Sequence, residues 1–309
     1  MARYLVTGGC GFIGSHLVQA LLAAGHEVRV LDDPSSGRRE QLPDGVELLV
    51  GGILDAALLR RALAGTAGCF HLAAIASVLR STSDWVGTHA VNQTGAIALF
   101  DAARAAGSPV VYASSAAVYG AQQRLPIGED NPTRPESAYG ADKLGVELHA
   151  RVAGLLFGLP TLGLRLFNVY GPRQDPASPY AGVVSIFARR LLAGEPLSIR
   201  GDGEQLRDFV YVADAVRALQ AAMERASPAA PVVNVCSGRP TSILALAQTL
   251  GRLLDRRPAL TFGPPQPGDI RRSLGDPALA RALLGVSAET TLEAGLGATL
   301  AWLRQTPAT

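Results

Sequence analysis

Residues Tyr4 to Gly14 read Y-L-V-T-G-G-C-G-F-I-G. A short apolar strand runs straight into a glycine turn and then into the amphipathic stretch Phe12 to Ala24. Gly8, Gly11 and Gly14 are spaced G-x-x-G-x-x-G. Glycines at this spacing give a tight turn, let backbone N–H groups approach a pyrophosphate, and allow close packing of helix on strand. The anion would sit at the helix N-terminus, where unpaired donors and the helix dipole favour negative charge. Because strand, turn and helix are all in place, the glycines read as a dinucleotide site rather than a chance turn. They put Gly8, Gly11, Phe12, Ile13 and Gly14 against the cofactor.

The rest of the chain fits that start. Strand-like runs at Tyr4–Thr7, Glu27–Leu31, Val46–Val50, Gly68–Leu72, Val110–Ala113 and Thr161–Phe167 alternate with helical patterns at Ile13–Ala24, Asp55–Ala64, Trp85–Ala106 and Tyr139–Leu156. Such alternation implies βαβ crossovers and a parallel sheet with both faces covered. The expected fold class is α/β: a Rossmann-like doubly wound parallel sheet with a smaller C-terminal α/β substrate domain. After Phe167, Pro and Gly thicken and the elements shorten: a helix near Tyr180–Ala193, a strand near Phe209–Val212, a helix near Ala213–Arg225, a strand near Val232–Val235 and a helix from Ser242. The reading is a dinucleotide-binding domain over 1–167 and a substrate domain over 168–309, partly interleaved.

Composition limits the partners. A net charge of +2 and the absence of like-charge runs argue against nucleic acid and anionic membranes. No 18-residue apolar span occurs, and the first apolar run turns at once, so neither a membrane helix nor a signal peptide is expected. Three scattered cysteines and five scattered histidines form no metal or disulfide pattern, which fits a reducing cytoplasm.

Asp32 and Asp33 close the second strand, about 20 residues past the glycines, where a carboxylate can accept from a ribose 2′-hydroxyl and repel a 2′-phosphate. Asp32 therefore points to NAD. Arg38 and Arg39 supply the competing reading, since an arginine can hold that phosphate. Leu72, Ala73 and Ala74, small residues at the end of the fourth strand, would let backbone approach the ligand. Tyr139 and Lys143 stand at i and i+4 on one helix face. A nearby ammonium is expected to lower a phenol's pKa from about 10, fitting it to act as general base or acid on an alcohol. Ser114 and Ser115 end the fifth strand near the same crevice.

Glycine fingerprint, strand-end serine and Tyr-x-x-x-Lys, in this order, resemble the extended short-chain dehydrogenase/reductase family, and within it the nucleotide-sugar 4-epimerases. V-N-Q-T-G (Val91–Gly95), L-F-N-V-Y-G-P-R-Q (Leu166–Gln174), G-D-G-E-Q-L-R-D-F-V-Y-V (Gly201–Val212) and P-G-D-I-R-R-S-L (Pro267–Leu274) extend the resemblance over essentially the whole chain. It implies that Tyr139 moves the proton of the sugar 4-hydroxyl while C4 gives hydride to NAD⁺ and takes it back on the other face after the 4-keto sugar has turned. UDP-glucose/UDP-galactose, and with them UDP-GlcNAc/UDP-GalNAc, are the implied substrates. Ser115 would bond the sugar hydroxyl and Lys143 the ribose. Ile53, Asn92, Ala113 and Phe167 would join the cofactor contacts. Ser77, Asn168, Val183, Arg200, Arg207, Asp269 and Ser273 would meet the UDP-sugar, with Arg207 facing the phosphates.

Three positions depart from the family pattern: Gly52 for an aspartate that meets adenine, Gln266 for an arginine at the phosphates, and Arg200 for an aromatic near the uracil. Arg200 either stacks on the base or is simply exposed. Ser273 falls at a position where a tyrosine would exclude 2-N-acetyl sugars, so room for them is expected. The competing readings are a 4,6-dehydratase, a decarboxylase and a UDP-glucuronate 4-epimerase, in which Arg173 or Arg271 could meet a carboxylate. Ala116 and Ala117 stand where dehydratases carry an Asp-Glu pair, and decarboxylases usually carry a glutamate in that stretch. A non-enzymatic NAD-binding sensor is the reading from another class; such proteins commonly lose the tyrosine or lysine kept here. Leu144, Leu148, Val152 and Leu155 follow helical spacing and read by default as core. In the resembled family this helix and the Trp85–Ala106 helix form a dimer interface, which implies a homodimer.

Overall fold

In the computed structural model, which describes residues 1–176, 178, 181–265 and 270–305 (of 78 and 79 only the backbone), alternation of side chains along each strand explains the architecture. In β1 (Arg3–Thr7), Leu5 enters one apolar core and Val6 the other; in β2 (Glu27–Asp32), Leu31 and Val30 divide the same way. A strand buried on both faces reads as an unbroken apolar run. β3 (Glu47–Val50), β4 (Gly68–His71), β5 (Val110–Ser115) and β6 (Thr161–Leu166) continue the sheet, and β6 is buried along its whole length.

Among the described residues seven strands form this sheet, in the order β10-β6-β5-β4-β1-β2-β3, where β10 is Val232–Val235. Every pairing in it is parallel. This is the doubly wound order expected, with the topological switch between β1 and β4. One face is covered by α1 (Phe12–Ala23), the other by α2 (Ala56–Leu63), α5 (Gly95–Ala106) and α6 (Ala138–Phe157). Between β4 and α5 lie α3 (Val78–Ser83), not foreseen, and α4 (Trp85–His89), which runs into α5 through a π-type segment at Ala90–Thr94.

Beyond residue 167 the chain serves both parts of the molecule. β7 (Asn168–Tyr170), α7 (Val183–Ala193), β8 (Leu197–Arg200) and β9 (Leu206–Tyr211) are followed by α8 (Val212–Met223), whose Ala215, Val216 and Leu219 join the core under α1. β10 then completes the main sheet, paired to β6 from Val232↔Gly163 to Val235↔Leu166. β11 (Pro240–Ser242), α9 (Ile243–Leu253), β12 (Leu260–Gly263) and α10 (Leu292–Gln305) finish the second lobe. A third core, with Phe187, Leu191, Ile199 and Leu246 at its centre, holds that lobe together.

The default core reading of the α6 leucines is corrected. Leu144 packs against the core, but Leu148, Val152 and Leu155 are 57%, 45% and 70% exposed. The buried stripe of α6 instead runs through Lys143, Val146, Glu147, Ala150 and Ala153, a face that includes two charged residues.

Candidate active site

The carboxyl ends of the sheet strands open onto two adjoining cavities of about 290 and 380 Å³ that share Gly8, Gly11, Leu72 and Ala74. The glycine turn forms their common floor. Gly8 adopts φ +72°, and a Cβ there would lie 2.7 Å from the backbone nitrogen of Ala73. A Cβ on Gly14 would lie 2.1 Å from the Gly8 carbonyl oxygen. Gly11 caps α1 with no side-chain acceptor, which leaves the first helical N–H groups of Phe12 and its neighbours for an anion. Phe12, Ile13 and Gly14 line the larger cavity.

The smaller cavity is walled by Asp32, Asp33, Ile53 and Ala73. Asp32 ends β2 and accepts from the Cys10 N–H at 2.8 Å; burial pushes its carboxyl above the ordinary range, opposed by that bond. Asp33 is engaged by the turn that follows, accepting from the N–H and hydroxyl of Ser35 at 3.0 and 2.6 Å. Gly52 faces open space: a Cβ there would meet nothing within 4 Å. Arg38, the competing argument for a 2′-phosphate, points to the second lobe and pairs with Asp175, while Arg39 is exposed in a 3₁₀ turn.

The larger cavity holds Ser115, Tyr139 and Lys143. β5 runs through Ser114 and Ser115, which pair with Arg165 and Leu166 of β6. Ser115 Oγ accepts from the Ala117 N–H at 3.1 Å, and Ser115 and Tyr139 line the same cavity. Ser137 caps α6 by accepting from the Gly140 N–H, which places Tyr139 in the first turn and Lys143 one turn on. Lys143 Nζ donates to the Ala113 carbonyl at 2.8 Å and stands 5.7 Å from the centre of the Tyr139 ring.

The electrostatics correct the expectation of a phenol tuned down by the ammonium. Burial pushes Tyr139 above its ordinary value, with the neighbouring Ser115 hydroxyl opposing. Burial also lowers Lys143 to about 8, with Asp142 opposing. Burial is the largest cause of both shifts. Beside the pair, His71 Nδ1 and the Thr7 hydroxyl share a hydrogen bond of 2.8 Å, and burial, then Lys143, lowers the imidazole to about 3.

Phe167 and the exposed Asn168 line the same cavity from the far side. Val183 opens α7 next to Gly182, which also lines it. Arg207 Nη1 donates to the carbonyls of Leu206 and Ile270 at 2.9 and 2.7 Å. The Ser273 N–H donates to the same Leu206 carbonyl at 3.1 Å, so residue 273 lies beside Arg207. Arg200 belongs to a separate cavity of about 490 Å³, together with exposed Phe262 and the Arg271–Asp202 pair. Asp269 and Gln266 lie outside the described residues.

Two expected site residues engage backbone groups. Asn92 is 1% exposed, and its amide clasps Ile75, accepting from its N–H at 2.7 Å and donating to its carbonyl at 3.1 Å. These bonds shape the loop after β4. Ser77 is 7% exposed and uses its hydroxyl to cap α3, accepting from the Arg80 N–H. The sequence reading overlooked Ser36 and Gly37, which border both cavities; no local periodicity marks them.

Residues 4–236 match the family described as "NAD dependent epimerase/dehydratase family". The chain belongs to this family. Its cofactor is NAD, and the uncapped α1 terminus, Asp32 and the Gly8–Ala73 approach make a cradle that fits a dinucleotide. The UDP-glucose 4-epimerase of Mycolicibacterium smegmatis is 41% identical, with 98% of each chain covered. The UDP-glucose 4-epimerase of Thermus thermophilus, solved in complex with NAD, superposes with a TM-score of 0.91 at 37% identity, covering 98% of this chain and 99% of that one. A UDP-N-acetylglucosamine 4-epimerase from Methanobrevibacter ruminantium, in complex with UDP-N-acetylmuramic acid, superposes with a TM-score of 0.94 at 34% identity, covering 98% of both.

Proposed function

We propose that this chain interconverts UDP-sugars epimeric at C4, taking UDP-glucose/UDP-galactose and also the 2-N-acetyl pair. The observation that carries this reading is the convergence of Ser115, Tyr139 and Lys143, the last fixed on the Ala113 carbonyl, in one cavity continuous with the glycine turn. NAD, when bound, supplies a reversible two-electron acceptor for the hydrogen on C4. Tyr139 takes the proton of the 4-hydroxyl and later returns it; Ser115 orients that hydroxyl and the phenol together. Lys143 steadies the phenolate as it forms and holds the cofactor ribose. Gly8, Gly11 and the first turn of α1 bind the pyrophosphate, and Asp32 the adenosine ribose. Asn168 and Arg207 hold the UDP-sugar, and the small Ser273 beside Arg207 leaves room for an acetamido group. Ala116 and Ala117, in the turn capped by Ser115, carry no group that could eliminate water or assist decarboxylation.

The test is incubation of the purified protein with UDP-glucose, UDP-N-acetylglucosamine and UDP-glucuronate, without added NAD, followed by separation of the product sugars. Epimers of the first two are expected. Turnover of UDP-glucuronate alone, or loss of carbon dioxide or water, would replace the reading. Tyr139→Phe should lower turnover by about 10³-fold while NAD stays bound; an unchanged rate would exclude Tyr139 as the proton carrier.

We also infer a homodimer. Trp85 and Val86 of α4 are 66% and 83% exposed, and with Leu148, Val152 and Leu155 of α6 they leave apolar surface that a second copy would cover. Leu155→Glu together with Leu148→Glu should give a monomer by light scattering; a wild type already monomeric at micromolar concentration would refute this.

A further inference from the structure

The loop that leaves β2 and the loop that leaves β7 meet over the glycine turn, although more than a hundred residues separate them. On one side the Arg38 N–H donates to the Cys10 carbonyl at 2.9 Å, and a Cβ on Gly37 would lie 2.4 Å from that same oxygen, so residues 37–38 are pinned on the glycine turn. On the other side three contacts tie residues 172–175 to the first lobe. His16 Nε2 donates to the Pro172 carbonyl at 2.9 Å, and burial lowers the His16 pKa, favouring the neutral ring. Arg173, held at φ +66°, donates from Nη2 to Gln19 Oε1 at 2.7 Å. Arg38 Nη2 donates to Asp175 Oδ2, an ion pair whose side chains are 46% and 28% exposed. Arg38, Arg173 and Asp175 all border the cavity that holds Tyr139 and Lys143. A further donor is present there: Arg173 Nη1 is buried with no hydrogen-bond partner among the described residues.

We propose that residues 172–175 form a clasp across the dinucleotide cavity, that the Arg38–Asp175 pair is its fastening, and that Asp175 is thereby a positioning residue for cofactor retention. With both loops anchored to the glycine turn and α1, the ion pair closes a ring of protein around the middle of the cavity. A bound dinucleotide cannot leave past that ring until the pair parts. The pair also occupies Arg38, so the cation that could have held a 2′-phosphate is turned toward the second lobe. This inference rests on the cofactor and not on the identity of the sugar.

The experiment measures cofactor release, so it remains informative whatever sugar the protein accepts. Wild type, R38Q, D175N and R38Q/D175N are loaded with NADH, and dissociation is followed by nucleotide fluorescence in stopped flow after mixing with excess ADP-ribose. Each single variant should release NADH about 2- to 5-fold faster, the size expected of one partly exposed ion pair. The double variant should be no faster than either single one, because the pair acts as a unit. Raising NaCl to about 1 M should speed release from the wild type and leave the double variant unchanged. Unchanged release in both single variants overturns the proposal. So does acceleration in R38Q without acceleration in D175N, or additivity in the double variant, since either would mean that Arg38 acts on the nucleotide directly.

Discussion

Removing Glu147 should destabilise the protein by about 3–5 kcal/mol, the cost of leaving a buried partner charge uncompensated. The figure follows from what surrounds the carboxylate. Glu147 and Arg165 are 6% and 8% exposed at the side chain and meet through two bonds, Nε to Oε1 at 2.9 Å and Nη2 to Oε2 at 2.7 Å. The guanidinium also donates to Tyr119 Oη at 2.8 Å and lies 4.8 Å from that ring. Oε1 accepts in addition from the Ser114 hydroxyl. In Glu147→Ala, Arg165 keeps its charge, loses two strong acceptors, and lies too deep for bulk water to replace them. Glu147→Gln retains shape and one acceptor and should cost about 2 kcal/mol. Replacing both residues by methionine removes the desolvation cost together with the pair and should fall within about 1–2 kcal/mol of wild type. The assay is urea unfolding followed by tryptophan fluorescence, read as a double-mutant cycle. A coupling energy below about 1 kcal/mol, or a double methionine variant as unstable as the sum of the single ones, would refute the argument. Because Ser114 precedes Ser115 and Glu147 stands one turn beyond Lys143, Glu147→Gln should also lower kcat with little change in KM.

Further outcomes follow from the same geometry. Lys143 titrates near 8 in the folded chain against an ordinary 10.5. The folded state thus binds this proton less tightly than the unfolded one, and its contribution to stability must rise between about pH 8 and 10.5. The difference in unfolding free energy between wild type and Lys143→Met, measured across that window without cofactor, should carry the slope; a flat difference would contradict it. Gly52→Asp should fold normally, since nothing lies within 4 Å of the added Cβ. It should tighten NAD about 3- to 10-fold if one hydrogen bond to the adenosine end is gained, as calorimetry would read. Gly14→Ala, by contrast, puts a methyl 2.1 Å from the Gly8 carbonyl and should lower NAD affinity at least about 100-fold in the same measurement.

The parts of the fold visible in the sequence are those specified by local pattern. Strands β1 to β6 and helices α1, α2 and α6 came from apolar runs and helical spacing, and Tyr139 with Lys143 from i, i+4 placement. What stayed hidden depends on residues distant in the chain. Among the described residues β8 and β12 pair only with each other, Leu197↔Leu260 to Arg200↔Gly263, and neither has a local signature. Asn92 and Ser77 advertised polar groups beside a cavity, but a sequence does not say which way a polar group turns, and both turn to backbone N–H groups. The phenol's pKa lies above its ordinary value, against expectation, because burial, which no spacing rule reports, is the largest influence on it. Arg38 found its partner at Asp175 rather than on a ribose, a contact 137 positions apart.

The seventh strand of the main sheet carries a consequence for how this protein is made. Among the described residues β6 gains its outer strand from residues 232–235, with a bridge from Ser227 to Thr161 at its start. A ribosome that has released everything up to residue 167 has therefore delivered a sheet whose outermost ribbon is buried-type on both faces and has one side unpaired. Until some seventy more residues emerge, that raw margin is open to any strand-like peptide nearby. A gene cut at the visual boundary between the lobes would yield a sticky fragment instead of a working nucleotide binder.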